Sequence, residues 1–275
     1  MITGTTRLLG VIGDPVAHSR SPVMQNAALQ ALGLNWAYVP LPVKTDALEA
    51  GLRGLHAVGF VGVNVTVPHK EAVARLVDEL RPVAKASGSV NTVVFADDGR
   101  LIGDSTDGPA IAAAIASEVE ETYTGSVLVL GAGGSARAAA AALAADGCAV
   151  RIFARRPEAA ATLAAELATL GDVAAVIDLP DPAGGVVVNC TPVGALVDRD
   201  GMPVPASRLV DVRVVVDLAY RADATPTPLI TAAAEAGCAV VDGLEVLARQ
   251  GAKALEIWTG ESAPLEVMLA AARGA

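Results

Sequence analysis

Val127-Leu128-Val129-Leu130-Gly131-Ala132-Gly133-Gly134-Ser135-Ala136 is four aliphatic residues running straight into a glycine turn. The aliphatic run has the length and composition of a fully buried strand. The alanine-rich stretch beyond the turn, Gly133–Ala145, is rich in the best helix former. A strand passing through glycines into a helix leaves free N–H groups and the positive end of the helix dipole at the turn. That combination receives a pyrophosphate. The pattern is G-x-G-G-x-A, with alanine in place of the last glycine. A glycine cluster alone could be no more than a tight strand–helix turn. Here a second strand, Ala149–Ala154, follows about 20 residues on, which supplies the βαβ context of a dinucleotide site.

The end of that second strand is more specific. A site for NAD places Asp or Glu there, against the ribose hydroxyls. This chain reads Phe153-Ala154-Arg155-Arg156-Pro157. Guanidinium matches phosphate geometry with paired donors, so Arg155 and Arg156 predict NADP(H). Two cations opening a helix at Pro157 would otherwise be electrostatically unfavourable.

Working outward, strand and helix patterns alternate from end to end. On the N-terminal side, Leu8–Ile12, Trp36–Leu41 and Gly62–Val67 read as strands, and Pro22–Leu32 and Asp46–Ala57 as helices. Val90–Phe95 and Arg100–Ile102 flank Asp97-Asp98-Gly99, a hairpin signal. On the C-terminal side, Pro157–Leu170 reads as a helix, Val186–Asn189 and Val214–Leu218 as strands, and Pro228–Ala236, Glu245–Trp258 and Pro264–Ala272 as helices. The alternation predicts an α/β protein with mainly parallel sheets, and 275 residues are enough for two ordinary domains.

Gly62-Val63-Asn64-Val65-Thr66-Val67-Pro68-His69-Lys70 carries the chemistry of the N-terminal half. Val63, Val65 and Val67 share one face of a strand, and Asn64 and Thr66 share the other. Pro68 stops the strand, and Lys70 opens a new helix. Only four of the chain's twenty Lys and Arg residues are lysine (Lys44, Lys70, Lys85 and Lys253). An ammonium is a titratable proton donor, which guanidinium is not. Ala17-His18-Ser19-Arg20-Ser21-Pro22 sets two hydroxyls before a helix start, where a carboxylate can be held. Ordinary N-capping accounts for Ser21 but not for the pair. In Gly103-Asp104-Ser105-Thr106-Asp107-Gly108, Asp104 and Ser105 can cap the next helix, and Asp107 is the candidate acid. A carboxylate near Lys70 would keep it protonated and oriented. Gln250 is a lone amide in an apolar helix, and Tyr220 follows a strand end.

The formal net charge is −10 with no basic run, which argues against nucleic acid and anionic membranes as partners. No apolar stretch approaches ~18 residues, the length of a membrane span. The N-terminus lacks the pattern of a signal peptide. Cys148, Cys190 and Cys238 are odd in number and set in apolar contexts, as expected of free thiols in a cytoplasmic protein. His18, His56 and His69 form no ligand pattern, so no metal is expected. Monomer and homodimer both remain open.

Read together, A-H-S-R-S-P, N-V-T-V-P-H-K, S-V-N-T, G-D-S-T-D-G, G-A-G-G-S-A-R, N-C-T-P-V-G, D-L-A-Y and D-G-L-E-V-L-A-R-Q-G occur in the order seen in shikimate dehydrogenases. The chain resembles that family from Leu9 to about Leu269. The resemblance implies an N-terminal α/β substrate-binding domain (residues 1–106 rejoined by 242–275) and a Rossmann-like NADP-binding domain with a parallel sheet (107–241). It implies reversible reduction of 3-dehydroshikimate to shikimate with NADPH, in the shikimate pathway to chorismate and aromatic amino acids. Lys70 and Asp107 match the catalytic pair. Ser19 and Ser21 match the serines on the substrate carboxylate, assisted by Tyr220. Asn64, Thr66, Asn91 and Gln250 match polar groups around the substrate hydroxyls. Gly131, Ala132, Gly133, Gly134 and Ser135 match the pyrophosphate loop, and Arg155 matches the arginine on the 2′-phosphate. Leu218 and Gly243 match positions near the nicotinamide.

Three positions depart from the family pattern. Ala154 stands where Asn is frequent, and Ser105 replaces a commoner Asn. The segment after Tyr220 is longer than usual. A quinate/shikimate dehydrogenase with relaxed specificity would share the scaffold. A non-catalytic ligand-binding paralogue would lack Lys70 or Asp107, and this chain has both. Which of the two is the main proton carrier stays open, because coupled groups titrate as a pair.

Overall fold

The computed structural model describes residues 2–119, 121–195 and 197–274. The chain divides into two units, Met1–Thr106 with Leu247–Ala275, and Asp107–Val246.

The first unit begins β1 (Arg7–Gly13), α1 (Ser21–Ala31), β2 (Trp36–Pro42), α2 (Leu48–Ala57), β3 (Phe60–Val65), α3 (Lys70–Leu76), β4 (Glu79–Leu80), α4 (Pro82–Ser87), β5 (Thr92–Phe95) and β6 (Leu101–Asp104). The second holds α5 (Asp107–Val119), β7 (Ser126–Leu130), α6 (Gly134–Ala145), β8 (Ala149–Phe153), α7 (Pro157–Leu167), β9 (Val173–Val176), β10 (Val186–Asn189), β11 (Val214–Asp217), α8 (Pro228–Glu235) and β12 (Ala239–Val241). The boundary falls within α9 (Gly243–Thr259), and α10 (Leu265–Gly274) completes the first unit.

The first unit's sheet has the order β2-β1-β3-β5-β6-β4. β1 pairs in parallel with β2 and β3, while β5 runs antiparallel to both β3 and β6. The β5–β6 hairpin falls where Asp97-Asp98-Gly99 predicts it. Its core gathers Ile12, Leu52, Val63, Val65, Val73 and Val93. Gly62 lets α9 approach the sheet. The Trp258 indole N–H donates to the Val93 carbonyl at 3.1 Å, and a Cβ on Gly62 would lie 2.3 Å from both atoms.

The second sheet has the order β12-β11-β10-β7-β8-β9, with every pairing parallel. Val127 and Val129 enter one core with Ala139, Ala140, Val150 and Val188, whereas Leu128 and Leu130 enter another with Val187, Val215 and Leu229. Both faces are covered, which explains why these strands read as unbroken aliphatic runs. Small side chains bring helices close. A Cβ on Gly108 of α5 would meet the Ala138 carbonyl of α6 at 2.4 Å.

Three local readings are corrected. β3 ends at Val65, two residues before the predicted stop, and Val67 is exposed rather than part of a buried face. Pro68 lacks the N–H that pairing would need. Neither Asp104 nor Ser105 caps α5: Asp104 ends β6, its Oδ1 takes the Ser105 N–H, and the helix starts at Asp107. The predicted helix from Asp46 is a 3-10 turn, Thr45–Ala47, followed by α2.

Candidate active site

In the first unit the polar residues converge on one buried network. Asn64 gives both Nδ2 hydrogens away, to the Asn91 carbonyl at 3.0 Å and to Thr92 Oγ1 at 3.2 Å, and its Oδ1 accepts from the Tyr38 hydroxyl at 2.7 Å. Asn91 Nδ2 donates to Thr106 Oγ1 at 2.9 Å and to Gln250 Oε1 at 3.2 Å. Its Oδ1 accepts from Thr92 Oγ1 and from the Thr106 N–H. Asn64, Asn91, Thr92, Thr106 and Gln250 are all buried. An amide nitrogen has two hydrogens and its oxygen two lone pairs, so Asn64 can meet a further hydroxyl only as an acceptor. Thr66 lies just beyond β3 and is half-buried. Sequence reading did not single out Tyr38, Thr92 or Thr106. The two threonines stand inside quoted motifs, but nothing local marks Tyr38.

Ser19 and Ser21 bracket the buried Arg20, which occupies the N-cap position of α1 without a side-chain capping bond. Ser19 Oγ instead accepts from the Ser21 N–H at 3.2 Å. Ser21 therefore does not serve as the ordinary cap. Burial holds the His18 imidazole below its usual pKa. Gln25 and Asn26 fix this helix: Gln25 Nε2 donates to the Gly251 carbonyl at 3.0 Å, and Asn26 bonds Tyr38 through its N–H and carbonyl at 2.9 and 2.8 Å. Lys70 is the first residue of α3 and half-buried, and its carbonyl accepts from the Val90 N–H at 3.0 Å. Asp107 is the first residue of α5 in the second unit and is buried.

The second unit brings the remaining candidates to the C-terminal ends of its strands. The strand order reverses between β7 and β10, the switch point where open α/β sheets bind ligands. Gly131 leaves β7 with φ +111°, a conformation that favours glycine. Gly133 is the N-cap of α6, no side chain caps that helix, and nothing lies within 4 Å of where a Gly133 Cβ would be. Arg155 and Arg156 follow β8, both exposed, and neither pairs with a carboxylate among the described residues. Leu218 and Gly243 come together. A Cβ on Gly243 would lie 2.5 Å from the Ala219 carbonyl oxygen and 2.9 Å from that of Leu218. Tyr220 lines a hollow of about 50 Å³ with Arg221, Thr227, Asp242 and Gly243. The long segment after Tyr220 is tied down: Arg221 donates to the Gly194 carbonyl at 3.0 Å and the Arg199 carbonyl at 2.5 Å.

Residues 11–93 match the family model described as the shikimate dehydrogenase substrate binding domain, and residues 243–273 match the shikimate 5'-dehydrogenase C-terminal domain. A shikimate dehydrogenase (NADP(+)) of Anaeromyxobacter dehalogenans is 47% identical over 272 residues, covering 96% of this chain and 95% of that protein. The chain belongs to the shikimate dehydrogenase family. Solved structures of the family agree across the whole length. A shikimate dehydrogenase in complex with NADP+ has a TM-score of 0.91 at 37% identity, covering 99% of this chain and 96% of its own. The Thermus thermophilus enzyme in complex with NADP(H) and shikimate has a TM-score of 0.87 at 38% identity, covering 98% and 99%.

The nucleotide end of this family member fits a phosphorylated dinucleotide. The α6 N-terminus, with no side-chain capping bond, and the open space at Gly133 suit a pyrophosphate, and two guanidiniums with no carboxylate partner among the described residues suit one more phosphate. Among the described residues no group of three or more His, Cys, Asp or Glu side chains is placed to hold a metal ion. No helix among them is long and apolar enough to cross a membrane.

Proposed function

We propose that this chain is an NADP(H)-dependent oxidoreductase that interconverts 3-dehydroshikimate and shikimate. The observation that carries the reading is its match to an NADP(+) shikimate dehydrogenase over 96% of its length. Arg155 and Arg156, standing where a carboxylate would serve NAD and without a carboxylate partner among the described residues, support it. Gly131, Ala132, Gly133, Gly134 and Ser135 hold the pyrophosphate, Arg155 and Arg156 the 2′-phosphate, and Leu218 and Gly243 flank the nicotinamide. When bound, the cofactor supplies or receives the hydride.

The chain's own residues do the rest. Ser19 and Ser21, with Tyr220, hold the substrate carboxylate by hydroxyls. Thr66, Gln250 and the Asn64 oxygen meet the substrate hydroxyls, while Asn91, whose donors and acceptor oxygen are already engaged, holds Gln250 and Thr106 in place beside them. Protonated Lys70 donates a hydrogen bond to the ketone oxygen, stabilises the charge that develops there and delivers the proton. In the oxidation direction neutral lysine takes the alcohol proton. Asp107 orients Lys70 and accepts from an adjacent hydroxyl. The acidic chain acts in the cytoplasm on a small molecule, as a monomer or homodimer.

Steady-state rates with shikimate or quinate and NADP⁺ or NAD⁺ test the proposal, and the shikimate–NADP⁺ pair is expected to be the fastest. Lys70→Ala should lower kcat by roughly 10²- to 10⁴-fold, the usual worth of a general acid, with shikimate KM within a few-fold. A Lys70→Ala kcat equal to that of a Lys44→Ala control would remove the lysine from the mechanism. Preference for quinate with NAD⁺ would overturn the substrate and cofactor together.

A further inference from the structure

One buried carboxylate has no part in the chemistry above. Asp217 ends β11 and is fully buried. Its oxygens take hydrogen bonds from three pieces of chain. Oδ1 accepts from Asn189 Nδ2, at the end of β10, at 2.8 Å, and from the Ala219 N–H at 3.0 Å. Oδ2 accepts from Thr227 Oγ1 at 2.5 Å, and that same hydroxyl caps α8 by accepting from the Ile230 N–H. Asn189 Oδ1 in turn holds the Thr191 N–H and hydroxyl at 3.0 and 2.7 Å. The rest of β11 is Val214-Val215-Val216, wholly buried. An aliphatic residue would continue that strand without the cost of burying a carboxyl group. What Asp217 provides is a fixed start for the segment Leu218-Ala219-Tyr220. Gly243 grips the same segment from α9, with no room for a Cβ against the Leu218 and Ala219 carbonyls.

We propose that Asp217 is a positioning residue: it fixes the path of Leu218-Ala219-Tyr220 and locks it to the Asn189–Thr191 turn and the start of α8. The residues assigned to nicotinamide and substrate are thereby set before either ligand arrives. This rests on the roles given above to Leu218 and Tyr220.

The test compares Asp217→Ala, Asp217→Asn, Thr227→Val and Tyr220→Phe in the full-length protein. Asp217→Asn keeps Oδ1 for Ala219 and Asn189, and its amide can donate to the remaining lone pair of Thr227 Oγ1. Asp217→Ala loses all three bonds. On folded protein, Asp217→Ala is expected to raise shikimate KM about fivefold or more and to lower kcat about tenfold. Affinity for 2′,5′-ADP, whose phosphates meet the Arg155–Arg156 pair and the Gly131–Ser135 loop but which lacks the nicotinamide half, should stay within about twofold. Asp217→Asn should restore shikimate KM to within about threefold. A merely structural role would lower the folded fraction and leave KM alone. The proposal is overturned if folded Asp217→Ala keeps wild-type KM, if Asp217→Asn is equally impaired, or if 2′,5′-ADP affinity falls in step. Should Asp217→Ala not fold, Thr227→Val decides: a smaller rise in shikimate KM supports the proposal, and an unchanged KM overturns it. Tyr220→Phe separates the two readings. An unchanged KM there removes the role of Tyr220 itself. A raised KM there, with Asp217→Ala and Thr227→Val silent, removes only the positioning.

Discussion

Replacing Asp217 by Asn should make the protein's stability less sensitive to pH, with the sign set by the burial of the carboxyl group. Burial pushes the Asp217 carboxyl up from 3.8 to about 6, with the nearby Asp242 charge adding to it. The hydrogen bonds from Thr227, Ala219 and Asn189 work the other way and are outweighed. A group whose folded pKa is raised holds its proton more tightly in the folded state. Its stabilising contribution is complete below the unfolded pKa and is lost as pH rises through the folded one. The difference of about 2 pKa units corresponds to roughly 3 kcal/mol, all of it lost by neutral pH. Between pH 5 and pH 7.5 the loss is on the order of 1 kcal/mol, because at pH 5 the unfolded carboxyl is already ionised and the folded one is not. The amide introduced by Asp217→Asn cannot ionise, so the variant escapes this loss. The assay is urea unfolding of wild type and Asp217→Asn at pH 5.0 and 7.5, followed by far-ultraviolet circular dichroism. Tryptophan fluorescence would not serve, since Trp36 and Trp258 both lie in the first unit. The stability of Asp217→Asn relative to wild type should rise by on the order of 1 kcal/mol from the lower to the higher pH. A difference constant to within about 0.3 kcal/mol, or one of opposite sign, would show that this carboxyl does not titrate as its burial demands.

Two further outcomes follow from the packing and the nucleotide end. Gly62→Ala places a methyl group 2.3 Å from Trp258 Nε1 and the Val93 oxygen. It must break their hydrogen bond as well as overpack the sheet, which should cost about 2–5 kcal/mol. Trp258 fluorescence during urea unfolding measures it, and a cost under about 1 kcal/mol would mean that α9 simply shifts outward. Arg155→Ala with Arg156→Ala should lower NADP⁺ kcat/KM by roughly tenfold to a few hundredfold, from charge-assisted bonds of about 1.5–3 kcal/mol each discounted for exposure. NAD⁺ kcat/KM should hardly move, and an equal loss for both cofactors would make the arginines structural.

What could be read from the sequence was local. Val127–Leu130 with its glycine turn, and Val186–Asn189, are strands because unbroken aliphatic runs have few other fates in a sheet covered on both sides. Lys70, opening α3, and the Arg155–Arg156 pair, following β8, stand out in the sequence by residue type alone. Weak or shared signals were misread or missed. Val173–Val176 and Ala239–Val241 are strands of three or four residues that hold only by pairing with β8 and β11, and propensity at that length decides nothing. The cap expected from Asp104 failed because a strand partner claimed the residue first. Least legible of all was the environment of the site residues.

Asn91 reads as one motif position among several. In the fold it ties β5, the β6–α5 junction and α9 together, through partners that lie 1, 15 and 159 positions away in sequence. Such a residue cannot turn toward a ligand without breaking bonds inside a region where unsatisfied polar groups are costly. Its contribution to any bound molecule is therefore fixed in advance. The same holds for Asn64, whose two donors are already given away. Asp217 does this for the Leu218–Tyr220 segment in the other unit. In both units the proposed site contains polar residues each committed to several partners. Rigidity of that kind is what the roles proposed for the site hydroxyls and the Lys70 ammonium call for, since little reorganisation then remains when charge develops in a transition state.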